Sequence, residues 1–354
     1  MFDNECMNRV TWVAIATTNP MGQQRYEHEI QAALRRVAGP EWSFELVTVA
    51  SARSNIPGTR RMPMRLNAAA QLPVSRAAGR VLYGNPDLVH RFDLRLPAAW
   101  GREVVTVHDL PPLRFPDEGT LTRSAAAGAR RAARVIVPSR FAGEELEELI
   151  GVAHVDVIPY GVIADYVDTV EVTDDQLRDL GIRPPFLLHA AGASLRKNLS
   201  GLADAWHLLS VRHTKLSLVL CGPPDVRRDR LFDGAPRVVR TGRLESPAVA
   251  ALMRRASAVV VPSTYEGFGL PALEGMVCGA PVVAARRGAL PEVCGDAALL
   301  VEPDGKAIAD GIEYVLTDHT LADGLRERGR RRAADFDWDD AAREHLRVYR
   351  LALS

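Results

Sequence analysis

Short β-rich apolar runs recur along the first half of the chain with helical stretches between them, at 10–16, 44–49, 88–90, 104–107, 135–138 and 155–158. Strands that are continuously apolar need cover on both faces, and the intervening amphipathic helices supply it. The pattern is that of an α/β protein with parallel sheets. A second set follows at 186–190, 216–221, 238–241, 258–262, 281–284 and 298–301, after a polar, acidic stretch, 165–179, that reads as a linker. Two α/β lobes are expected, and 354 residues suffice for two sizeable cores. In open sheets ligands gather beyond the carboxyl ends of the strands, so the chemistry is sought in the loops after these runs and in a cleft between the lobes.

Composition narrows the function. Lys plus Arg and Asp plus Glu are 44 each, so no basic excess draws the chain onto nucleic acid. Cys6, Cys221, Cys278 and Cys294 lie far apart, with no CxxC pair and no Cys/His spacing that would seat zinc, which fits a reducing cytoplasm. The first apolar run is short and follows Asp3 and Glu5, unlike a secretion signal, and no run approaches the roughly 20 residues of a membrane span. A cytoplasmic protein is expected. One segment breaks the even charge pattern: residues 51–80 carry Arg53, Arg60, Arg61, Arg65, Arg76 and Arg80 and no acid. It reads as a solvated loop and helix face, with an anionic acceptor or the inner membrane surface as the alternative contact. The DFDWDD run at 335–340 precedes a last helix at 341–351, so its acids read as helix caps and an acidic edge, with no metal assigned.

Three elements carry chemistry. In residues 259–303 a strand ends at Pro262, a glycine-rich turn follows, and Pro271 suits the first turn of a helix running through Val277. Gly267 and Gly269 let backbone N–H groups approach a ligand, and the helix points its positive end at the same place, which suits a diphosphate. Glu266 and Glu274, with Phe268 and Leu270 between them, set two carboxylates about that anion site, able to accept from two sets of hydroxyls. In residues 187–209, Arg196 and Lys197 stand just before a helix whose Leu199, Leu202, Trp206 and Leu209 keep helical spacing. Two cations at a helix start make sense if an anion occupies that point, and stabilising a leaving group is the natural task. In residues 104–118 a strand delivers His108 and Asp109 to its carboxyl end, where a His can donate or accept near neutral pH.

The E-x7-E element of Glu266 and Glu274, and the PEV-x-GDAALLV-x-P tail after it, resemble the retaining nucleotide-sugar glycosyltransferases of family 4. The resemblance implies the GT-B fold, two Rossmann-like lobes whose parallel sheets face a central cleft. It also implies that Glu274 binds the ribose, that Glu266 and the backbone of Gly267, Phe268, Gly269 and Leu270 meet the sugar and its phosphate, and that Arg196 and Lys197 neutralise the departing diphosphate without a metal. By the same resemblance His108 of the HDL element faces the donor sugar, while Ser139, Arg140 and Gly161 fall in segments that line the cleft. The amino terminus is less similar: a single glycine, Gly22, stands where relatives often carry a pair, ahead of Arg25 and Tyr26.

The expected layout is an acceptor-side lobe at 1–165, completed by a terminal helix at 338–354, and a donor-binding lobe at 166–337. The expected function is retaining transfer of a hexosyl group from a nucleoside diphosphate sugar to a hydroxyl acceptor (a glycan, glycolipid or small natural product), without cofactor or metal. The HDL element and the prolines after it are similar to mannosyl- and rhamnosyl-transferring relatives. A nucleotide-sugar epimerase or hydrolase of the same fold, and a silent glycan- or nucleotide-binding partner, stay open as alternatives. No GxGxxG follows any strand, which sets a nicotinamide-dependent oxidoreductase aside.

Overall fold

Strands form where β-branched residues run together. Ala258–Val261 reads AVVV and Val282–Ala285 reads VVAA, both buried along their whole length, as strands covered on two faces must be. The computed structural model describes residues 7–18, 22–62, 75–167 and 171–354. The chain divides into one unit of Met1–Gly161 with Asp337–Ser354, and a second of Val162–Phe336.

The sheet of the first unit contains β1 (Asn8–Ile15), β2 (Trp42–Ser51), β3 (Arg60–Met62), β4 (Leu88–Arg91), β5 (Glu103–Thr106), β6 (Arg134–Val137) and β7 (Val155–Val157). Its order is β3-β2-β1-β4-β5-β6-β7, and every pairing is parallel. The second unit contains β8 (Phe186–Ala190), β9 (Ser217–Cys221), β10 (Val238–Gly242), β11 (Ala258–Val261), β12 (Val282–Ala285) and β13 (Leu299–Val301). Their order is β10-β9-β8-β11-β12-β13, again parallel. Each expected run forms a strand, and both sheets have the doubly wound order in which the chain starts in the middle and winds outward twice. In the second unit Leu199, Leu202, Trp206 and Leu209 are buried together against Leu187, Leu218 and Val260.

Two expectations need correction. The basic segment is not only loop and helix: Arg60 and Arg61 lie exposed on β3, an edge strand with Met62 turned inward. Three residues are too few to show periodicity, and charge on a short edge keeps it from pairing with another chain. Arg76 and Arg80 lie on the helix Ser75–Tyr83, and Arg65 is outside the described residues. The stretch read as a linker holds two short helices, Ala164–Val167 and Asp174–Asp179. Thr173 and Gln176 form a capping box that starts the second. Arg254 donates to Tyr166 O at 2.7 Å and Arg255 pairs with Asp174 at 2.6 Å, so both helices dock on the helix Ser246–Arg255.

The final helix, Trp338–Leu353, belongs to the first unit. Asp337 caps it, accepting from the N–H groups of Asp339 (2.8 Å) and Asp340 (2.9 Å). A row of buried hydrogen bonds then ties it to the sheet, and its proton positions follow from one fact. Ala341 O can only accept, so His345 Nδ1 carries the proton at 2.7 Å and Nε2 must accept from the Tyr26 hydroxyl at 2.8 Å. The Tyr26 oxygen then accepts from Thr106 (3.3 Å), Thr106 accepts from His90 Nε2 (2.8 Å), and His90 Nδ1 accepts from the Tyr349 hydroxyl (2.6 Å). Trp12 Nε1, a donor only, completes the row on the Tyr349 oxygen at 3.1 Å. Burial pushes His345 down to about 4 and His90 well below its usual range, so both rings are neutral, as this assignment requires.

Candidate active site

In the second unit the strand order reverses between β8 and β11, and the loops that leave these two strands diverge there. The loop after β8 carries Arg196 and Lys197 in a single turn, Leu195–Lys197; the loop after β11 carries Glu266. Thr264 N donates to Arg196 O at 2.8 Å, stitching the loops together. The side chains complete the joint: Lys197 Nζ donates to Glu266 Oε1 at 2.7 Å and Arg196 to Oε2 at 3.1 Å. The sequence argument asked for an anion at the cation pair and assigned Glu266 separately; among the described residues the anion is the Glu266 carboxylate itself.

This carboxylate is 5% exposed and Lys197 is 8% exposed. Burial by itself would raise the Glu266 carboxyl, but Lys197 and then Arg196 outweigh it and hold it below the usual carboxylate range. Glu266 thus keeps its negative charge facing Lys197 and Arg196. The backbone behind Glu266 is fixed as well. Ala289 N donates to Glu266 O at 3.0 Å, and Gly288, at φ +58°, lies so close that a Cβ there would come within 2.7 Å of Glu266 O. Gly269, at φ +105°, caps the helix Leu270–Val277, with Pro271 in its first turn as expected. Leu270 opens that helix and half-buried Glu274 lies one turn further on. Phe268 is buried edge-on to Phe336, ring centroids 5.6 Å apart.

The reversal in the first unit lies between β1 and β4. Gly22 opens the helix Gly22–Val37 after β1. From that helix Gln23 Nε2 donates to Glu27 (3.0 Å), to Phe92 O (3.1 Å) and to Asp93 (3.3 Å). Glu27 is buried, and burial, reinforced by Asp93 and only partly offset by Gln23 and Arg95, drives it up to about 8. Asp93, although buried, is held below its usual range by Arg95. At the end of β5, His108 Nδ1 shares a 2.5 Å hydrogen bond with the Tyr160 hydroxyl, and its ring stands edge-on to Tyr26 at 4.9 Å. Burial lowers His108 to about 4, so it works as a neutral ring with one donor and one acceptor nitrogen. Asp109 is half-buried beside it. Ser139 caps the helix Arg140–Ile150, accepting from Ala142 N at 3.1 Å, and Arg140 is exposed at the helix start. A Cβ on Gly161 would fall 2.5 Å from the Trp338 ring, so packing of the last helix explains that glycine.

Sequence reasoning missed several supporting residues. Asn198, at φ +52°, caps the helix Leu199–Arg212 and donates to Pro262 O (3.0 Å) and Pro303 O (2.7 Å), which fixes the residue next to Lys197. An Asn directly before an apolar-periodic run is a cap signal that could have been read. Buried Arg228 donates to Ala191 O at 2.6 Å and holds the loop after β8. His189 is buried on β8, its Nδ1 donating to Val260 O at 3.0 Å. Glu27 and Gln23 gave no signal, since polar residues on an amphipathic helix read as surface.

Comparison with known proteins agrees with this geometry. Residues 184–318 match the model for "Glycosyl transferases group 1" and residues 21–166 the model for "Glycosyltransferase Family 4". A GDP-mannose-dependent alpha-(1-6)-phosphatidylinositol dimannoside mannosyltransferase of Mycobacterium tuberculosis is 31% identical over 72% of this chain and 71% of its own. O-antigen chain mannosyltransferase B of Escherichia coli is 28% identical over 82% of this chain and 81% of its own. Among solved structures, sucrose-phosphate synthase from Thermosynechococcus elongatus superposes with a TM-score of 0.76 at 22% identity, covering 97% of this chain and 98% of that one, a likeness of fold. With two doubly wound parallel sheets and the cations and acid of the β8 and β11 loops joined at a strand-order reversal, the chain belongs to the family 4 glycosyltransferases of GT-B architecture.

Proposed function

We propose that the protein is a retaining hexosyltransferase that moves a sugar from a nucleoside diphosphate donor to a hydroxyl acceptor without a metal ion. The observation that carries the reading is the joining of buried Lys197 and half-buried Arg196 at the buried Glu266 carboxylate. Lys197 and Arg196 take the diphosphate, supplying the charge a metal would otherwise provide. Glu274 takes the ribose. Glu266 and the neutral His108 take the sugar, and the N–H groups from Gly267 to Leu270 meet the phosphate. Gly22, Asp109, Ser139, Arg140 and Gly161 shape the surroundings. Retention follows from same-face substitution, in which the leaving phosphate helps to deprotonate the acceptor, so catalysis is positioning and charge stabilisation.

A relative named as GDP-mannose-dependent makes GDP-mannose the first donor to test. An anionic surface, of the acceptor or of a membrane, suits the first unit, where the Arg76 and Arg80 guanidinium groups lie 5.5 and 5.6 Å from the centre of the exposed Trp100 ring. The test is transfer from GDP-mannose to simple glycoside acceptors in the presence of a chelator, with the product anomer assigned by NMR. The expected result is an α-linked product unaffected by chelation. An inverted product, strict dependence on a divalent ion, or a new epimer formed from donor alone would overturn the reading.

A further inference from the structure

The ion cluster has a property that a simple donor site would lack: its cations already have an anion. Both Glu266 oxygens are engaged, one by Lys197 and one by Arg196, in a place almost closed to water. Any diphosphate that reaches Lys197 and Arg196 must compete with that carboxylate. We propose that Glu266 is an internal counter-ion that the diphosphate displaces, so that donor binding transfers both cations from carboxylate to phosphate and frees Glu266 to accept from sugar hydroxyls. The inference rests on the reading of this site as a diphosphate site.

Three observations support the exchange. Free of ligand, the pair needs neutralising, because a buried lysine beside a half-buried arginine is destabilising without an anion. The Glu266 backbone is pinned by Ala289 and closely backed by Gly288, so the exchange moves a side chain while the loop stays in place. A diphosphate carries more negative charge than a single carboxylate, so it gains more from the two cations than Glu266 does. After transfer, the carboxylate is at hand to reclaim the cations, which loosens the nucleoside diphosphate product and favours its release.

The sign of the effect is the test. Removing a carboxylate that merely touches substrate weakens binding; removing a competing counter-ion tightens binding of the bare anion. Titration calorimetry with GDP and with inorganic pyrophosphate is the measurement, on wild type, Glu266→Gln, Glu266→Asp and Lys197→Met. Glu266→Gln should bind both anions at least tenfold more tightly than wild type while transferring sugar more slowly. Its ligand-free melting temperature should fall, and pyrophosphate should raise it by more than it raises wild type. Glu266→Asp, whose shorter carboxylate cannot span both cations, should tighten binding by a smaller factor and serves if the Gln variant does not fold. Equal or weaker anion binding by the folded variants would overturn the exchange while leaving the diphosphate site intact. If instead Lys197→Met binds GDP and pyrophosphate as wild type does, the site reading itself fails and the exchange with it.

Discussion

The Glu266 cluster of the second unit and the Glu27 and His108 region of the first treat buried ionisable groups in different ways. At the strand-order reversal of the second unit, buried ionisable groups keep their charges by pairing: Glu266 stays below its usual range because Lys197 and Arg196 face it. Near the strand-order reversal of the first unit two buried groups give up their charge instead, although the same unit also holds paired charges at Arg91–Glu103 and Arg134–Asp156. Glu27 rises to about 8 and His108 falls to about 4, both chiefly through desolvation; Asp93 nearby, with Arg95 beside it, is held below its usual range. Under the proposed function the charged cluster serves the diphosphate, and the neutral donors and acceptors serve hydroxyl groups.

The strongest challenge to this contrast is the removal of one charge from the paired cluster. Lys197→Ala should lower kcat/KM for the donor by a hundredfold to a thousandfold, about 3–4 kcal/mol of transition-state stabilisation, in steady-state assays with GDP-mannose. A loss under threefold would place the cluster outside the reaction.

In the neutral region the expected cost is in stability. Tyr26→Phe deprives His345 Nε2 of its donor and Thr106 of its acceptor, and leaving two buried groups unpaired costs about 2–3 kcal/mol. Urea unfolding midpoints measure it; a change below about 0.5 kcal/mol would mean that the row of hydrogen bonds is not rigid.

Glu27 sharpens the comparison through pH. Its native pKa of about 8 lies above the ordinary 4.5, so between these values the folded chain holds a proton that the unfolded chain has lost. Stability therefore declines as pH rises through that window, by at most about 1.4 kcal/mol per pH unit. Glu27→Gln should gain on wild type from pH 5 to pH 8, read from melting temperatures. His108 and His345 work the other way, losing stability as pH falls from about 6.5 to about 4. A difference between Gln variant and wild type that stays flat with pH would show Glu27 to be charged. The smallest effect is expected at the helix cap, where Asp337→Ala should cost about 1 kcal/mol in the same unfolding experiment.

The strands were legible because valine runs and periodic helices state their burial directly. The three-residue β3 was not, and the helices in the acidic stretch were hidden by its polarity, although the Thr173 and Gln176 capping box was there to be read. At the site, spacing located Arg196, Lys197, Glu266 and Glu274 but could not reveal that Glu266 closes on the cations, since that contact depends on how two loops leave two non-adjacent strand runs. Glu27 was invisible for the same reason: Gln23 joins it to Phe92 O and Asp93, far along the chain.

The hydrogen-bond row from Trp12 to Ala341 O runs one way only. Turning any middle member around sets two protons, or two lone pairs, against each other at the next junction, and neither the indole at one end nor the carbonyl at the other can reverse. Replacements at Tyr26, His90, Thr106, His345 and Tyr349 are thus chosen jointly: each newcomer must give on the side that leads to Ala341 O and receive on the side that leads back to Trp12. Helices grafted here from relatives will be accepted or refused on that handedness, however well their apolar faces match.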